Sequence, residues 1–324
     1  MSNFNTSGLL QALDRIKPEL KPLPQHFITS QDQHTRELYA TLLAAVLLSD
    51  GQVSEPQSRL FGMLLQSMQL EPVPARFFEL AQQLDAGKLK QLIQALNHQD
   101  QQSALMIDAL ILARLDSPLG QAQAELLAEL LACFGLSNDQ AGHVTTMVNM
   151  GLGLPIAVKS MAQVEKLSKF SPMLKLAYPD FLLRQGVYVD SASNLMWSRI
   201  SIGQQWMIHK DPNGTPRKMD WSDAKKACKD WSLAGFDDWR LPTIKELSSI
   251  GSQTHAANML YPEPKTAKVY WSSSKFEEQN HASVFRFGYG SNEKPIQTFN
   301  VEKGSVSSED RNSSCYVRAV RSIR

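Results

Sequence analysis

The stretch Asp238-Trp239-Arg240-Leu241-Pro242-Thr243-Ile244-Lys245-Glu246-Leu247 decides how this 324-residue chain divides. Thr243 followed three residues later by Glu246 is a capping box, so a helix is expected to open here. The run lies inside the segment from Trp197 to Trp271 that holds all six tryptophans. Ahead of that segment the chain is rich in Leu, Ala and Gln; within and beyond it, aromatic residues, Gly, Ser and turn formers prevail. A chain of this length suits about two domains. The expected class is α+β multidomain: an all-α N-terminal bundle followed by a mixed α+β domain.

Outward from the motif, Gly186 to Arg199 reads as a hairpin. Val187 and Val189 alternate, Asp190-Ser191 turns, and Leu195-Met196-Trp197 returns. Asp220 is the expected cap of a helix from Trp221 to Trp231, with Trp221, Ala224, Cys228 and Trp231 on one face. On the C-terminal side, strands are expected at Val269–Ser273, Ser283–Phe287, Ile296–Val301 and Tyr316–Val320.

Several of these blocks are similar to the Lcl C-terminal domain family, the module that ends a collagen-like bacterial adhesin. The matching residues are Asn194-Leu195-Met196-Trp197, the Trp221/Ala224/Cys228 helix face, Gly235 with Asp238 to Thr243, Glu246-Leu247, Tyr270-Trp271-Ser272-Ser273, and Val317-Arg318-Ala319-Val320-Arg321. The resemblance covers about residues 184–322 and implies a C-type-lectin-like fold. Trp197, Trp221, Trp239 and Trp271 supply the large buried surfaces a loop-rich fold needs. Arg240 and Glu246 are expected to tie loops to the scaffold through hydrogen bonds and an ion pair.

Function in such a fold is expected on loops carried by the scaffold. The candidate ligand-binding residues are Asn280, His281, Arg286, Tyr289, Ser291, Asn292, Asn300, Arg311 and Asn312, of types common on adaptable contact surfaces. A lectin-like scaffold with varying C-terminal loops is also the display protein of diversity-generating retroelements, and the Asn-rich end is compatible with that role. The Trp-Asn-Asp and Glu-Pro-Asn elements that hold calcium and sugar in animal C-type lectins are absent, and Glu263-Pro264-Lys265 puts a lysine where an oxygen ligand belongs. Calcium-dependent sugar binding is therefore not expected.

The N-terminal half carries helical periodicity, with apolar positions at Leu38, Leu42, Ala45 and Val46, then Leu60, Met63 and Leu64. Asp50-Gly51 ends the first helix, and Ser54 with Gln57 forms a capping box for the second. The pattern returns 66 residues later without a gap: Asp50 falls on Asp116, Leu60 on Leu126, Phe61 on Leu127, Leu64 on Leu130, Leu65 on Leu131 and Leu70 on Leu136. Two helix–turn–helix units packed face to face would bury these stripes in one bundle.

This unit resembles the TerB-like helical domain of tellurite-resistance and stress-response proteins, over about residues 33–150. The resemblance implies clustered loop acids that bind a metal, and Asp50, Glu55 and Asp116 match them. Gln121 replaces the second Glu and Ser117-Pro118 replaces Asp-Gly, so helix capping is the preferred role for Asp50 and Asp116. The expected organisation is an N-terminal helix and Pro-rich lead at 1–32, the helical bundle at 33–150, a linker at 151–183 and the lectin-like domain at 184–324. In the linker, Ala157 to Phe170 suits an amphipathic helix, with breaks at Ser171-Pro172 and Tyr178-Pro179.

Hydrophobic content of 43% and charged content of 20% let both halves bury a core. Residues 1–165 carry 10 Lys+Arg against 16 Asp+Glu, a net −6, and residues 166–324 carry 23 against 16, a net +7. The basic excess is scattered, so nucleic acid is not the expected partner. No signal peptide and no spanning segment are read, and three cysteines without a metal spacing suit a reducing, cytoplasmic setting. The sequence reads as a non-catalytic recognition protein with no cofactor. Its partner would be a protein or glycan, and the helical domain would serve stress-response or defence machinery and carry any homo-oligomer contact. The alternatives are a formylglycine-generating-type cysteine oxidase using Cys228 and Cys315, and a surface adhesin.

Overall fold

In the computed structural model, residues 21–154, 156, 161–207, 212–251, 269–276 and 294–323 are described. The chain divides into two compact units, Met1–Tyr178 and Pro179–Arg324. The first is helical among its described residues and the second carries the sheets, so the architecture is two-part α+β.

Among its described residues the helical unit begins with a 3-10 turn, Phe27–Ser30, and continues through α1 (Gln33–Leu48), α2 (Glu55–Ser67), α3 (Pro74–Ala81), α4 (Ala86–Ala95), α5 (Gln99–Ala113), α6 (Gln121–Cys133), α7 (Asn138–Gly151) and α8 (Met161–Leu167). The repeat is visible in the helix bounds. α1 starts at 33 and α5 at 99; α2 runs 55–67 and α6 runs 121–133, again 66 apart. Both second helices close with the same left-handed residue: Gln69 has φ 58° and Gly135 has φ 63°. In each, the next N–H reaches back to complete a Schellman cap, Leu70 to Leu65 and Leu136 to Leu131.

α1 and α5 are apolar on nearly every side and form the centre of the bundle; Ala40, Leu43, Ala44 and Leu47 of α1 and Ala104, Leu105, Ile107 and Leu112 of α5 are buried. Ser54 and Gln57 form the expected capping box at α2. Gln57 then does more: its Nε2 donates to the carbonyls of Leu112 and Ala113 at 3.2 and 3.3 Å, closing the C-terminus of α5.

A buried polar cluster pins the lead segment to this bundle. His26 Nε2 lies 2.7 Å from Asp108 Oδ2, and the Tyr39 hydroxyl donates to the same oxygen at 2.8 Å. His26 Nδ1 accepts the Ile28 N–H at 3.1 Å, which assigns the proton to Nε2 and makes the imidazole a neutral donor to the carboxylate. All three side chains are buried. Burial, and then the Asp108 charge, hold the Tyr39 phenol well above its ordinary value.

The linker departs from expectation. Its helix is described as α8, Met161–Leu167, residues 157–160 lying outside the described part. Pro172 opens α9 (Pro172–Arg184), but Tyr178-Pro179 does not break it; Pro179 stands inside the helix. Leu174, Tyr178 and Leu182, one turn apart, are all buried, and this packed stripe outweighs the one hydrogen bond that proline cannot make.

Among its described residues the second unit holds two sheets. β1 (Val187–Asp190), β2 (Leu195–Ser198) and β8 (Val320–Ser322) form one, in the order β1-β2-β8. β3 (Lys218–Met219), β4 (Val269–Lys275), β5 (Ile296–Asn300), β6 (Ser305–Glu309) and β7 (Cys315–Tyr316) form the other, in the order β3-β7-β4-β5-β6. Among the described strands only β4 and β7 pair in parallel. The β1–β2 turn is held by Asp190, whose carboxylate accepts from Ala192 N–H and Ser193 Oγ.

The strand expected over Tyr316–Val320 is in fact two. The chain leaves the larger sheet after Tyr316 and joins the smaller at Val320, because the backbone between is claimed by other partners, the end of β2 and the loop after it: Val317 and Ala319 carbonyls accept from Ile202 and Ser198 N–H, both at 3.0 Å. The strand expected at Ser283–Phe287 lies outside the described residues. The core gathers Leu195, Trp197, Leu247, Tyr270, Phe299 and Val320.

Candidate recognition site

The motif that divides the sequence is a brace. After it comes α11 (Ile244–Gly251), opened by reciprocal bonds between Thr243 and Glu246. Arg240 forks onto the same carboxylate, Nη1 to Oε2 at 2.9 Å and Nη2 to Oε1 at 2.7 Å. Burial pushes the Glu246 carboxyl up, but the Arg240 and Thr243 hydrogen bonds outweigh it and hold it below the usual range. Asp238 is forked by buried Arg321, and the Arg240 and Val320 backbones exchange hydrogen bonds at 2.9 Å. Trp197, Trp239 and Trp271 are buried, and the last two donate to the carbonyls of Phe236 and Met219. These residues fix the scaffold.

Trp221 differs in what surrounds it. It opens α10 (Trp221–Lys229), with Asp220 accepting from Asp223 N–H as N-cap. Its indole donates to the Ser272 carbonyl, which anchors the ring to β4. Lys225, one turn on, brings its ammonium 4.0 Å from the ring centroid, and the Arg311 guanidinium lies 5.0 Å from it. Arg311 arrives from the turn after β6, where Asp310 accepts from Asn312 and Ser313 N–H.

These residues line a cavity of about 340 Å³, formed by Asp220, Trp221, Ser222, Lys225, Asp310, Arg311 and Asn312. Two cations and two carboxylates face one volume. Both carboxylates already accept backbone N–H bonds, whereas Lys225 makes no ion pair among the described residues. Arg311 Nε also donates to the Lys294 carbonyl. Lys294 borders the segment 277–293, whose flanks are joined where Phe276 N–H meets the Pro295 carbonyl at 2.9 Å.

The structure therefore brings Arg311 and Asn312 into one site. Asn300 is not there. It closes the β5–β6 turn, its Oδ1 accepting from Lys303 N–H. Ile296, which pairs with Glu309 beside the cavity-lining turn, is four residues away along the strand, roughly 13 Å at the usual rise. Asn300 is thus a turn residue, separate from the cavity. Asn280, His281, Arg286, Tyr289, Ser291 and Asn292 lie outside the described residues. Sequence reasoning overlooked Ser222 and Lys225; the signal was a lysine one turn after a tryptophan at a helix start.

The loop acids of the helical unit are not brought together. Among the described residues no group of three or more His, Cys, Asp or Glu is placed to hold a metal ion. Asp50 lies against Gly120, the N-cap of α6, so closely that a Cβ there would overlap its carboxylate. That position suits an acid at a helix N-terminus. Glu55 is exposed and reaches Arg59 at 3.5 Å. Asp116 lines a different cavity, beside α5 and α7.

Cys228 and Cys315 are free and buried. Burial pushes the Cys228 thiol up to about 12. Burial, with Glu309 adding to it and Lys218 opposing, takes Cys315 to about 12 as well. No helix among the described residues is long and apolar enough to cross a membrane.

Residues 186–321 match the Lcl C-terminal domain family. That part of the chain is similar to the family's domain, which suggests a recognition-type protein. No curated protein matches the chain.

Proposed function

We propose that this chain is a non-catalytic recognition protein whose C-terminal unit, a C-type-lectin-like fold on the family's resemblance, holds a protein partner at the Trp221 cavity. The observation that carries the reading is the convergence of Lys225, Arg311, Asn312 and Ser222 beside Trp221, next to the joined flanks of residues 277–293. A lining of both charge signs with an amide and a hydroxyl complements the mixed polarity of a peptide surface. Asn280, His281, Arg286, Tyr289, Ser291 and Asn292 belong to the same reading by residue type alone, and any retroelement-driven variation would fall among them. The TerB-like resemblance of the helical unit supports a role as the coupling part, in stress response or defence.

The cysteine-oxidase alternative draws no support from the thiols. With both pushed up to about 12, almost no thiolate is present at neutral pH. Free thiols suit a cytoplasmic location, which cell fractionation tests and which separates this reading from an adhesin.

The deciding experiment is capture of partners from native lysate by the full chain and by a Lys225→Ala/Arg311→Ala/Asn312→Ala variant, with mass spectrometric identification. A partner held by the parent and lost in the variant, at unchanged melting temperature, is the expected result. Partners retained equally by both would overturn the site. Binding to a glycan array in place of any protein would keep the cavity and change the ligand.

A further inference from the structure

The helical unit contains a second, larger cavity, of about 600 Å³, in the size range of small-molecule pockets. Its walls are mostly aliphatic: Leu110 from α5, Leu115 and Leu119 from the following loop, and Val148 and Leu152 from α7 and its end. One cation stands in this lining, Arg114, the C-cap of α5.

Arg114 is not accounted for by packing. Its counterpart in the first copy of the repeat, 66 residues earlier, is Leu48, so an aliphatic side chain serves that position elsewhere. It is not needed to close α5 either, because Gln57 already occupies the Leu112 and Ala113 carbonyls. Among the described residues its guanidinium makes one hydrogen bond, a long one to Asn149 Oδ1 at 3.4 Å, and no ion pair. Asp116 lines the same cavity, is exposed, and does not pair with it.

We infer that this cavity binds an aliphatic monocarboxylate, with the carboxylate on Arg114 and the hydrocarbon tail against Leu110, Leu115, Leu119, Val148 and Leu152. A half-buried guanidinium at the edge of an apolar volume is matched by a ligand with one anionic head and an apolar body. The Asp116 carboxylate nearby disfavours a head of higher charge, such as a phosphate dianion.

The test is titration calorimetry of the full chain with decanoate, kept below its micelle concentration, and with decanol. Decanoate is expected to bind at one site. Arg114→Gln should weaken decanoate at least tenfold and leave decanol within about twofold, the charge-specific signature. Val148→Trp, which fills the cavity, should abolish binding; Thr145→Trp, placed at the exposed rim, does the same should the core variant fail to fold. The inference is overturned by no decanoate binding, by equal decanoate affinity in Arg114→Gln, or by binding that survives the tryptophan variants. A concentration-dependent dimer that decanoate does not dissociate would also overturn it, because a second copy would then be the occupant.

Discussion

Gln57 and Gln123 stand 66 residues apart and make the same contact in opposite directions. Gln57 Nε2 donates to the Leu112 carbonyl of α5 at 3.2 Å, and Gln123 Nε2 donates to the Val46 carbonyl of α1 at 3.5 Å. Val46 and Leu112 are themselves 66 apart, so each helical hairpin closes the other's central helix. Both glutamines are buried. Gln57→Ala strands two carbonyls and should cost about 1–3 kcal/mol. Gln123→Ala, giving up one long bond, should cost less. Urea unfolding followed by far-UV circular dichroism measures both; equal losses would mean that the contacts are not what the two residues supply.

The left-handed caps give a second pair. Gln69 bears a side chain at φ 58°, where its counterpart is Gly135. Gln69→Gly should raise stability by up to about 1 kcal/mol, and Gly135→Ala should lower it by a similar amount. Opposite shifts in the circular dichroism midpoint are the expected readout.

The phenol of Tyr39 stays protonated in the fold well above its ordinary value near 10. Above that pH the unfolded chain sheds this proton and the folded chain keeps it, so stability falls as pH rises past about 10. Tyr39→Phe should remove that part of the alkaline loss. It should also cost about 1 kcal/mol at neutral pH by taking one donor from Asp108. An unchanged alkaline profile in the variant would exclude Tyr39 as its source.

The Glu246 carboxyl titrates below its ordinary value near 4.5, so its contribution is complete above that pH and is lost as pH falls through the lower folded value. Tryptophan fluorescence reports this unit alone, since all six tryptophans lie between 197 and 271. Glu246→Gln should flatten the acid dependence of the fluorescence midpoint below about pH 4.5; a slope identical to the parent's would assign the acid loss to other groups.

Trp239, buried between Trp231 and Phe236, is the scaffold test. Trp239→Ala should cost about 3–5 kcal/mol and unfold the C-terminal unit while the helical signal persists. A normally folded variant would show that the Asp238–Thr243 motif serves something other than the core.

Local chemistry made much of this legible. Ser54 with Gln57 and Thr243 with Glu246 announce helix starts from four residues each, and the 66-residue repeat announces the paired hairpins. What stayed hidden depends on distant partners. Nothing near Tyr316–Val320 tells that Ser198, Ile202 and Arg240 will bond its backbone and split it between sheets. His26 and Asp108 are 82 residues apart, and neither interrupts a periodic pattern in a way that names the other. Asn300 looked like a contact residue because an asparagine in a polar run reads alike on a binding loop and in a turn. Arg311 and Asn312 were legible only as types; Lys225 joined them through the fold of α10 against β4.

The split of the last strand also bears on the order in which the chain acquires structure. β2 has β1 along one edge, close in sequence, but its other edge waits for Val320 to reach Trp197. During synthesis the first hairpin therefore emerges with an open edge and keeps it until nearly the whole unit has left the ribosome. The helical unit, with its local contacts, can already be folded by then. For that interval the flank of β2 is an unpaired strand edge, open to pairing with another chain.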